Sequence, residues 1–185
     1  MIDWILPRAQ AKIMAGTERR VVLGADGEHL YLTGMRRDIR KQEDGRVQLS
    51  ETPLGLTVVA TDTLAVVDRF DLPVDDAALS HDGKHLLLTG GWLQQTSGTG
   101  DTQEKKGSGL YVFDAERMMQ IAHLEPEKAF YLRGFSIDGT LAYVSHDEEQ
   151  KEAWSVVDVS AQKMTATRKA DKWFMDVVPI VRGRQ

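Results

Sequence analysis

The fold is indicated by one stretch of the sequence, Leu79-Ser80-His81-Asp82-Gly83-Lys84-His85-Leu86-Leu87-Leu88-Thr89-Gly90. It reads as the end of one short strand, a tight turn at Asp82-Gly83 and a second, apolar strand. Asp-Gly is favoured in a type I′ hairpin turn because Gly accepts a positive φ freely and Asp tolerates it. The stretch therefore predicts an antiparallel β-hairpin.

The same pattern recurs at a fixed interval. Asp-Gly pairs also occur at Asp26-Gly27 and Asp138-Gly139, 56 residues before and 56 residues after Asp82-Gly83. A second apolar hairpin follows each pair, in segments 56–67, 110–121 and 154–166. Four antiparallel strands per repeat are typical of a propeller blade, whereas a sandwich shows no such long period. We expect an all-β fold, a β-propeller segment of about three complete four-stranded blades with partial blades at both termini.

The phase of the repeat divides the chain, and we label the strands of each blade A to D in order. A single propeller segment spans 1–185, with C and D strands of a preceding blade in 1–18, blades at 19–74, 75–130 and 131–170, and a final A strand and tail in 171–185. These end pieces lack the B strand that would join them. The repeat therefore predicts the C-terminal part of a larger or multi-chain propeller, and the expected partner is another protein chain or a second copy that completes the ring.

Alternation within the strands predicts which apolar side chains lie between neighbouring blades. These are Val22, Leu32, Val58, Val66, Leu79, Leu87, Val112, Ile121, Phe135, Val156 and Val177.

Composition excludes several classes of function. The formal net charge of -5 and pI near 5.5 argue against a nucleic-acid partner. The absence of cysteine excludes disulfides, thiolate metal sites and cysteine nucleophiles. The N-terminal residues lack the apolar core of a signal peptide, and the apolar stretches are too short for membrane insertion.

Catalytic and cofactor motifs are missing from the sequence. It contains no Gly-x-Ser-x-Gly, no phosphate-binding loop and no His-Glu-x-x-His. His81 and His85 flank a turn, so they need not face one another as metal ligands would. We predict no catalytic residue, no cofactor and no metal site.

Three segments resemble motifs of a known family, and the closest match is the segment from Thr61 to Pro73, which contains Asp-Thr-Leu-Ala-Val-Val-Asp-Arg-Phe-Asp-Leu at 62–72. Ser80-His81-Asp82-Gly83-Lys84-His85-Leu86 and Gly109-Leu110-Tyr111-Val112-Phe113-Asp114 fit the patterns Ser-x-Asp-Gly-Lys-x-Leu and Gly-Leu-x-Val-x-Asp of the YVTN and amine-dehydrogenase heavy-chain-like propellers. The resemblance covers about residues 20 to 180. It implies a propeller scaffold used for binding or as a subunit of a redox enzyme. It also favours a periplasmic or extracellular location, while the compartment itself stays unknown.

Candidate binding residues lie in the segments between strands B and C, because these and the D-to-A connections emerge on one face of a propeller. The segment from Met35 to Pro53 is predicted to be a charged hairpin whose cations could hold an acidic partner or could only be solvated: Arg36, Arg37, Arg40 and Lys41. The segment from Gly91 to Gly109 is predicted to have a polar, mobile tip. Trp92 at its base is either a recognition aromatic or a packing residue.

The third blade supplies the remaining candidates, Arg133, His146 and Asp147. His146 and Asp147 are expected in the shortest B-to-C turn, where oxygen ligands could hold Ca²⁺ or form only an acidic, solvated turn.

Two functions remain open at this point. The favoured one is a non-catalytic binding or assembly module. The alternative is the propeller portion of an enzyme, such as a redox enzyme subunit of the amine-dehydrogenase type with its cofactor on another chain.

Overall fold

The computed structural model describes residues 17–41, 47–95, 103–148 and 151–169. All regular structure in these ranges is β: β1 Thr17–Leu23, β2 His29–Lys41, β3 Val47–Pro53, β4 Leu56–Ala60, β5 Val66–Phe70, β6 Asp76–Leu79, β7 His85–Gln95, β8 Gln103–Asp114, β9 Met119–Leu124, β10 Phe130–Phe135, β11 Leu141–Glu148, β12 Lys151–Asp158 and β13 Lys163–Lys169. No helix able to cross a membrane is found among the described residues. The strands predicted in residues 1–16 and 171–185 lie outside them.

The strands form antiparallel four-stranded units that follow one another along the chain. Unit 1 has the order β1-β2-β4-β5, unit 2 the order β6-β7-β8-β9 and unit 3 the order β10-β11-β12-β13. A single bridge between Ser50 and Gln94 joins units 1 and 2 into one sheet. The prediction of an all-β chain built from four-stranded antiparallel units, as propeller blades are, is confirmed.

The Asp-Gly turns differ from the predicted type. The Gly83 N–H donates to the Ser80 carbonyl, so the turn spans residues 80–83, with Asp82 third and Gly83, at φ 72°, fourth. Asp26, Asp82 and Asp138 are absent from the positive-φ residues. The prediction of a type I′ turn was therefore wrong, and the arrangement is typical of a type I turn with Gly at its end.

The aspartate side chain explains why this turn prefers Asp. The Ser80 hydroxyl donates to Asp82 Oδ1 at 2.6 Å, and the Lys84 N–H donates to the same oxygen at 3.1 Å. Ser136 and Asp138 repeat the first contact at 2.6 Å. The carboxylate thus satisfies donors of the turn that no strand partner reaches.

More of the segments between strands B and C forms β-strand than the sequence predicted. β2 continues to Lys41 and pairs with β3, which confirms the projecting hairpin of unit 1. β7 and β8 pair out to Gln95 and Gln103, so residues 103–107, expected to be loop, are strand. The predicted tip at 96–102 lies outside the described residues.

Glycine sits at the base of both long hairpins. Gly55 and Gly109 have φ of 73° and 76°. A Cβ at Gly55 would lie 2.5 Å from the Phe70 carbonyl oxygen, and one at Gly109 would lie 2.5 Å from that of Leu124. Only glycine allows the backbone of the fourth strand to approach this closely.

Two apolar cores hold the units together. One lies between units 1 and 2 and includes Tyr31, Val58, Leu86, Leu88 and Phe113. The other lies between units 2 and 3 and includes Leu87, Val112, Phe135, Val144 and Val157. Of the predicted core residues, Leu32, Val58, Leu87, Val112 and Phe135 are buried, whereas Val22, Val66, Leu79, Ile121 and Val156 are half-buried. Val177 lies outside the described residues.

Candidate binding pocket

The first strands of the three units, β1, β6 and β10, lie side by side. Each of these strands pairs with the second strand of its unit, and at one position in every unit a polar residue pairs with a fully buried Thr or Ser. These pairs are Arg20 with Thr33, Asp76 with Thr89 and Tyr131 with Ser145, and the first residue of each pair lines a pocket. The inner strands of neighbouring units therefore present a cation, an anion and a phenol at matching positions. This alignment creates the polar wall of a pocket.

The pocket has a volume of about 300 Å³. It is lined by Arg20, Gly34, Met35, Asp75, Asp76, Gly91, Phe130 and Tyr131. Gly34 and Gly91 stand where β2 and β7 leave their units to become projecting hairpins. The pocket thus lies on the same face of the chain as the hairpins, which is the face where the sequence predicts binding.

Arg20 and Asp76 link units 1 and 2 across the pocket. Arg20 Nε lies 2.8 Å from Asp76 Oδ1, and the arginine is mostly exposed while the aspartate is largely covered. Burial raises the pKa of Asp76, and the charges of Arg20 and Arg133 oppose that rise. The ion pair therefore offsets part of the cost of placing Asp76 in this wall.

Asp75 lies beside this pair in a different electrostatic setting. Its Oδ1 accepts a hydrogen bond of 3.2 Å from the Gly91 N–H. Burial raises its pKa to about 6, and the like charges of Asp76 and Glu51 add to the rise. No ion pair joins Asp75 to a cation within the described part of the chain. Asp75 is consequently a desolvated carboxylate facing a pocket without a counter-ion.

The predicted cations of unit 1 lie on its hairpin and contact carboxylates there. Arg36 Nε is 3.1 Å from Asp38 Oδ2, and Arg37 Nε is 2.8 Å from Glu51 Oε1. These two cations are therefore already balanced by anions of the same hairpin. Their role in binding an acidic partner stays a prediction.

Three further candidates can be placed only by their backbone. Arg40 and Lys41 pair with Gln48 and Val47 in the β2–β3 hairpin, and Trp92 pairs with Lys106 in the β7–β8 hairpin. Their side chains lie outside the described part of the structure.

Arg133 is held beside the pocket by contacts within unit 3. Its Nε donates to Ser145 Oγ at 2.8 Å, and its Nη2 lies 3.6 Å from Oε1 of the buried Glu152. Its guanidinium carbon is 5.4 Å from the centre of the Tyr131 ring, which lines the pocket. Arg133 thus orients a pocket aromatic.

His146 and Asp147 were expected in a turn, and this location was wrong. Both lie within β11, where His146 pairs with Ala153 of β12 and Asp147 pairs with Glu152. His146 is fully buried, and its Nε2 is 3.1 Å from Ser155 Oγ. The hairpin continues to Glu148 before it reverses, so His146 is part of the packing of unit 3, and Asp147 is exposed.

No group of three or more potential metal ligands occurs among the described residues. The pocket offers two adjacent carboxylates, which is fewer than the oxygen ligands that Ca²⁺ requires from a protein site.

Sequence reasoning overlooked Arg20, Asp75, Asp76 and Tyr131. One signal was available: Arg20 and Asp76 are 56 residues apart, so residues of opposite charge occupy the same position of successive repeats. Such positions in adjacent strands can form an ion pair between units. The pocket itself could not be predicted, because its shape depends on how three units pack.

Comparison with known proteins adds little beyond the architecture. No protein-family model matches the sequence, and neither does any curated protein. A solved structure described as the Dos1 propeller is similar to 84% of this chain and 62% of its own chain, with 12% identity and a TM-score of 0.36. The chain therefore spans less than two thirds of that propeller. A similarity at this level says nothing about function, and the resemblance to the YVTN and amine-dehydrogenase family stays a prediction.

Proposed function

We propose that this chain is a non-catalytic β-propeller module that binds a partner at the face carrying the pocket and the projecting hairpins. The observation that supports this is the pocket itself, which is bounded by the inner strands of three successive units. Concave sites with apolar walls and a few convergent polar groups are the usual places where proteins bind ligands.

Backbone amides in the pocket offer a direct test. Gly34 and Gly91 line it, whereas Gly27 and Gly139 lie in turns at the opposite end of their units. A set of small organic cations, anions and neutral aromatics should be added to the ¹⁵N-labelled chain while its NMR spectrum is recorded. At least one class should shift Gly34 and Gly91 and leave Gly27 and Gly139 unchanged. Equal shifts at all four glycines, or none, would refute binding at this face.

A second candidate function, assembly, is favoured by the apolar face of unit 1 that points away from unit 2. Val21 and Leu23 are 37% and 57% exposed. By the 56-residue period they correspond to Ala77 and Leu79, which pack against the core between units 1 and 2. In unit 2 these positions contact the preceding unit, whereas in unit 1 the equivalent residues are exposed.

The complementary face occurs on unit 3. Tyr143 corresponds to Leu87, which packs against unit 3 in the second core, and Tyr143 itself is only half-buried. We propose that a second copy of the chain docks its unit 3 on unit 1 in the same way that successive units pack. Head-to-tail contacts of this kind close into rings when the rotation allows it.

Light scattering on the full chain tests the assembly. Leu23→Asp should convert a dimer to a monomer, because a charge would be buried in the contact. The matched control is Met119→Asp, since Met119 is 51% exposed on β9 of unit 2, which takes no part in the proposed contact between unit 3 and unit 1. A wild-type chain that is monomeric at every concentration, or equal effects of both substitutions, would refute docking by a second copy.

A further inference from the structure

Asp75 is the feature of the pocket that the structure leaves without an internal explanation. Three arginines near the pocket lie close to carboxylates, Arg20 to Asp76, Arg37 to Glu51 and Arg133 to Glu152, and Lys128 Nζ lies 5.8 Å from the centre of the Phe130 ring. The Asp75 carboxylate accepts a hydrogen bond from the Gly91 N–H at 3.2 Å. Asp75 is half-buried, and the charges of Asp76 and Glu51 add to the cost of its ionisation, so a cation that enters the pocket would relieve that cost.

The walls around Asp75 define what kind of cation fits. Met35 and Phe130 are buried apolar residues, and Tyr131 adds an aromatic ring. Gly34 and Gly91 add no side chains, so a ligand can approach the backbone. A volume of about 300 Å³ suits one amino-acid side chain. Lysine and arginine combine an aliphatic stem, which packs on apolar walls, with a charged head that pairs with a carboxylate.

We infer that the pocket, if it is the binding site proposed above, accepts the side chain of a lysine or arginine on a partner polypeptide. Asp75 receives the cationic head, and Met35 and Phe130 contact the aliphatic stem. Asp76 is already engaged by Arg20 and acts on the ligand only through its charge.

Three blocked amino acids of similar size distinguish the effect of the probe's side-chain charge on binding from the effect of its shape. N-acetyl-lysine methylamide is the cationic probe, N-acetyl-norleucine methylamide is its neutral counterpart, and N-acetyl-glutamate methylamide is anionic. Each is titrated into the ¹⁵N-labelled full chain while the Gly34 and Gly91 amides are followed. The lysine probe should shift both amides in a saturable way, and the other two should bind about tenfold more weakly or not at all, as expected for loss of a charge-assisted contact.

Two substitutions then assign the effect to one carboxylate. Asp75→Asn keeps an oxygen for the Gly91 N–H and should weaken the lysine probe about tenfold. Asp71→Asn removes the same charge from an exposed loop position and should leave the affinity unchanged. Equal loss in both variants would overturn the assignment.

The outcomes distinguish this inference from the proposed function. If the norleucine or glutamate probe shifts Gly34 and Gly91 as strongly as the lysine probe, the pocket is a binding site and its preference for cations is refuted. If none of the probes shifts these amides, selection of a basic side chain is refuted, and the broader fragment set decides separately whether the pocket binds anything.

Discussion

Replacing Asp75 by Asn should stabilise the folded chain at neutral pH. The Asp75 carboxyl is half-buried beside Asp76 and Glu51, and burial raises its pKa from the ordinary 3.8 to about 6. The folded state therefore resists ionisation of this group, while the unfolded chain ionises it freely. Asparagine has a similar shape, keeps an acceptor for the Gly91 N–H and carries no charge that must be desolvated.

The sign and size of the effect follow from the two pKa values. Below 3.8 the carboxyl is protonated in both states, and it lowers the stability of the fold progressively as pH rises from 3.8 to about 6. The difference corresponds to about 3 kcal/mol at about 1.36 kcal/mol per pH unit. Because the side chain is partly exposed, solvent screening makes this an upper limit. The destabilisation is fully present above about pH 6.

Urea denaturation followed by tryptophan fluorescence, repeated across the range from acidic to neutral pH, measures this dependence. The free energy of unfolding of Asp75→Asn should exceed that of the wild type at neutral pH by up to about 3 kcal/mol. The gain should vanish at acidic pH. Asp71→Asn, at an exposed loop position, controls for the change in net charge.

Two results would refute the reasoning. One is a gain in stability that is independent of pH, which would mean that charge desolvation is not its cause. The other is an equal gain in Asp71→Asn, which would point to the net charge of -5 rather than to the pocket.

The packing and the turns supply further predictions. Leu87→Ala should lower the free energy of unfolding by about 2–5 kcal/mol in urea denaturation, because Leu87 is fully buried between units 2 and 3, whereas Ile137→Ala at an exposed site should change it by about 0.5 kcal/mol or less. Similar losses in both would contradict the assigned core. Gly109→Ala should cost about 3 kcal/mol or more, since it combines a φ of 76° with a Cβ 2.5 Å from a carbonyl oxygen. Gly27→Ala, at φ 70° with nothing within 4 Å, should cost only about 1–2 kcal/mol, and equal melting temperatures of the two variants would exclude the clash.

Local chemistry made the hairpins and their order predictable from the sequence. Asp and Gly at positions 82 and 83 act through contacts within a few residues, so the turn was located correctly even though its type was not. Alternating apolar residues likewise identified Leu87 and Val112 as core. Such features depend on the chain near each residue and are visible without the fold.

The pocket and the ends of the strands depend on more distant parts of the chain. Asp75 and Phe130 line one cavity although they are far apart in sequence, and only the packing of units 2 and 3 brings them together. Likewise, residues 103–107 look like a polar loop, yet they become strand because β7 supplies a partner for their backbone. His146 was assigned to a turn because the pairing of β11 with β12 extends further than its charged sequence indicates.

The glycines at the base of the long hairpins mark the boundary between an inner part, where the sequence must pack against the neighbouring unit, and an outer part, which projects. Gly55 and Gly109 lie where the chain returns from the projecting part, and their missing side chains allow the close approach of the fourth strand. Unit 3 has Ala153 at the corresponding position, and there the β11–β12 ladder runs without a break into its short hairpin. Among the residues that the structure describes, neither core contains a residue of β3 or of the outer parts of β7 and β8, so the length and charge of the hairpins can change with little effect on the cores, provided that the Ser50–Gln94 bridge is kept. Under the proposed function, exchanging the outer part of one hairpin should change which partner is bound while both cores stay intact, and this makes the two hairpins natural positions for grafting a foreign peptide.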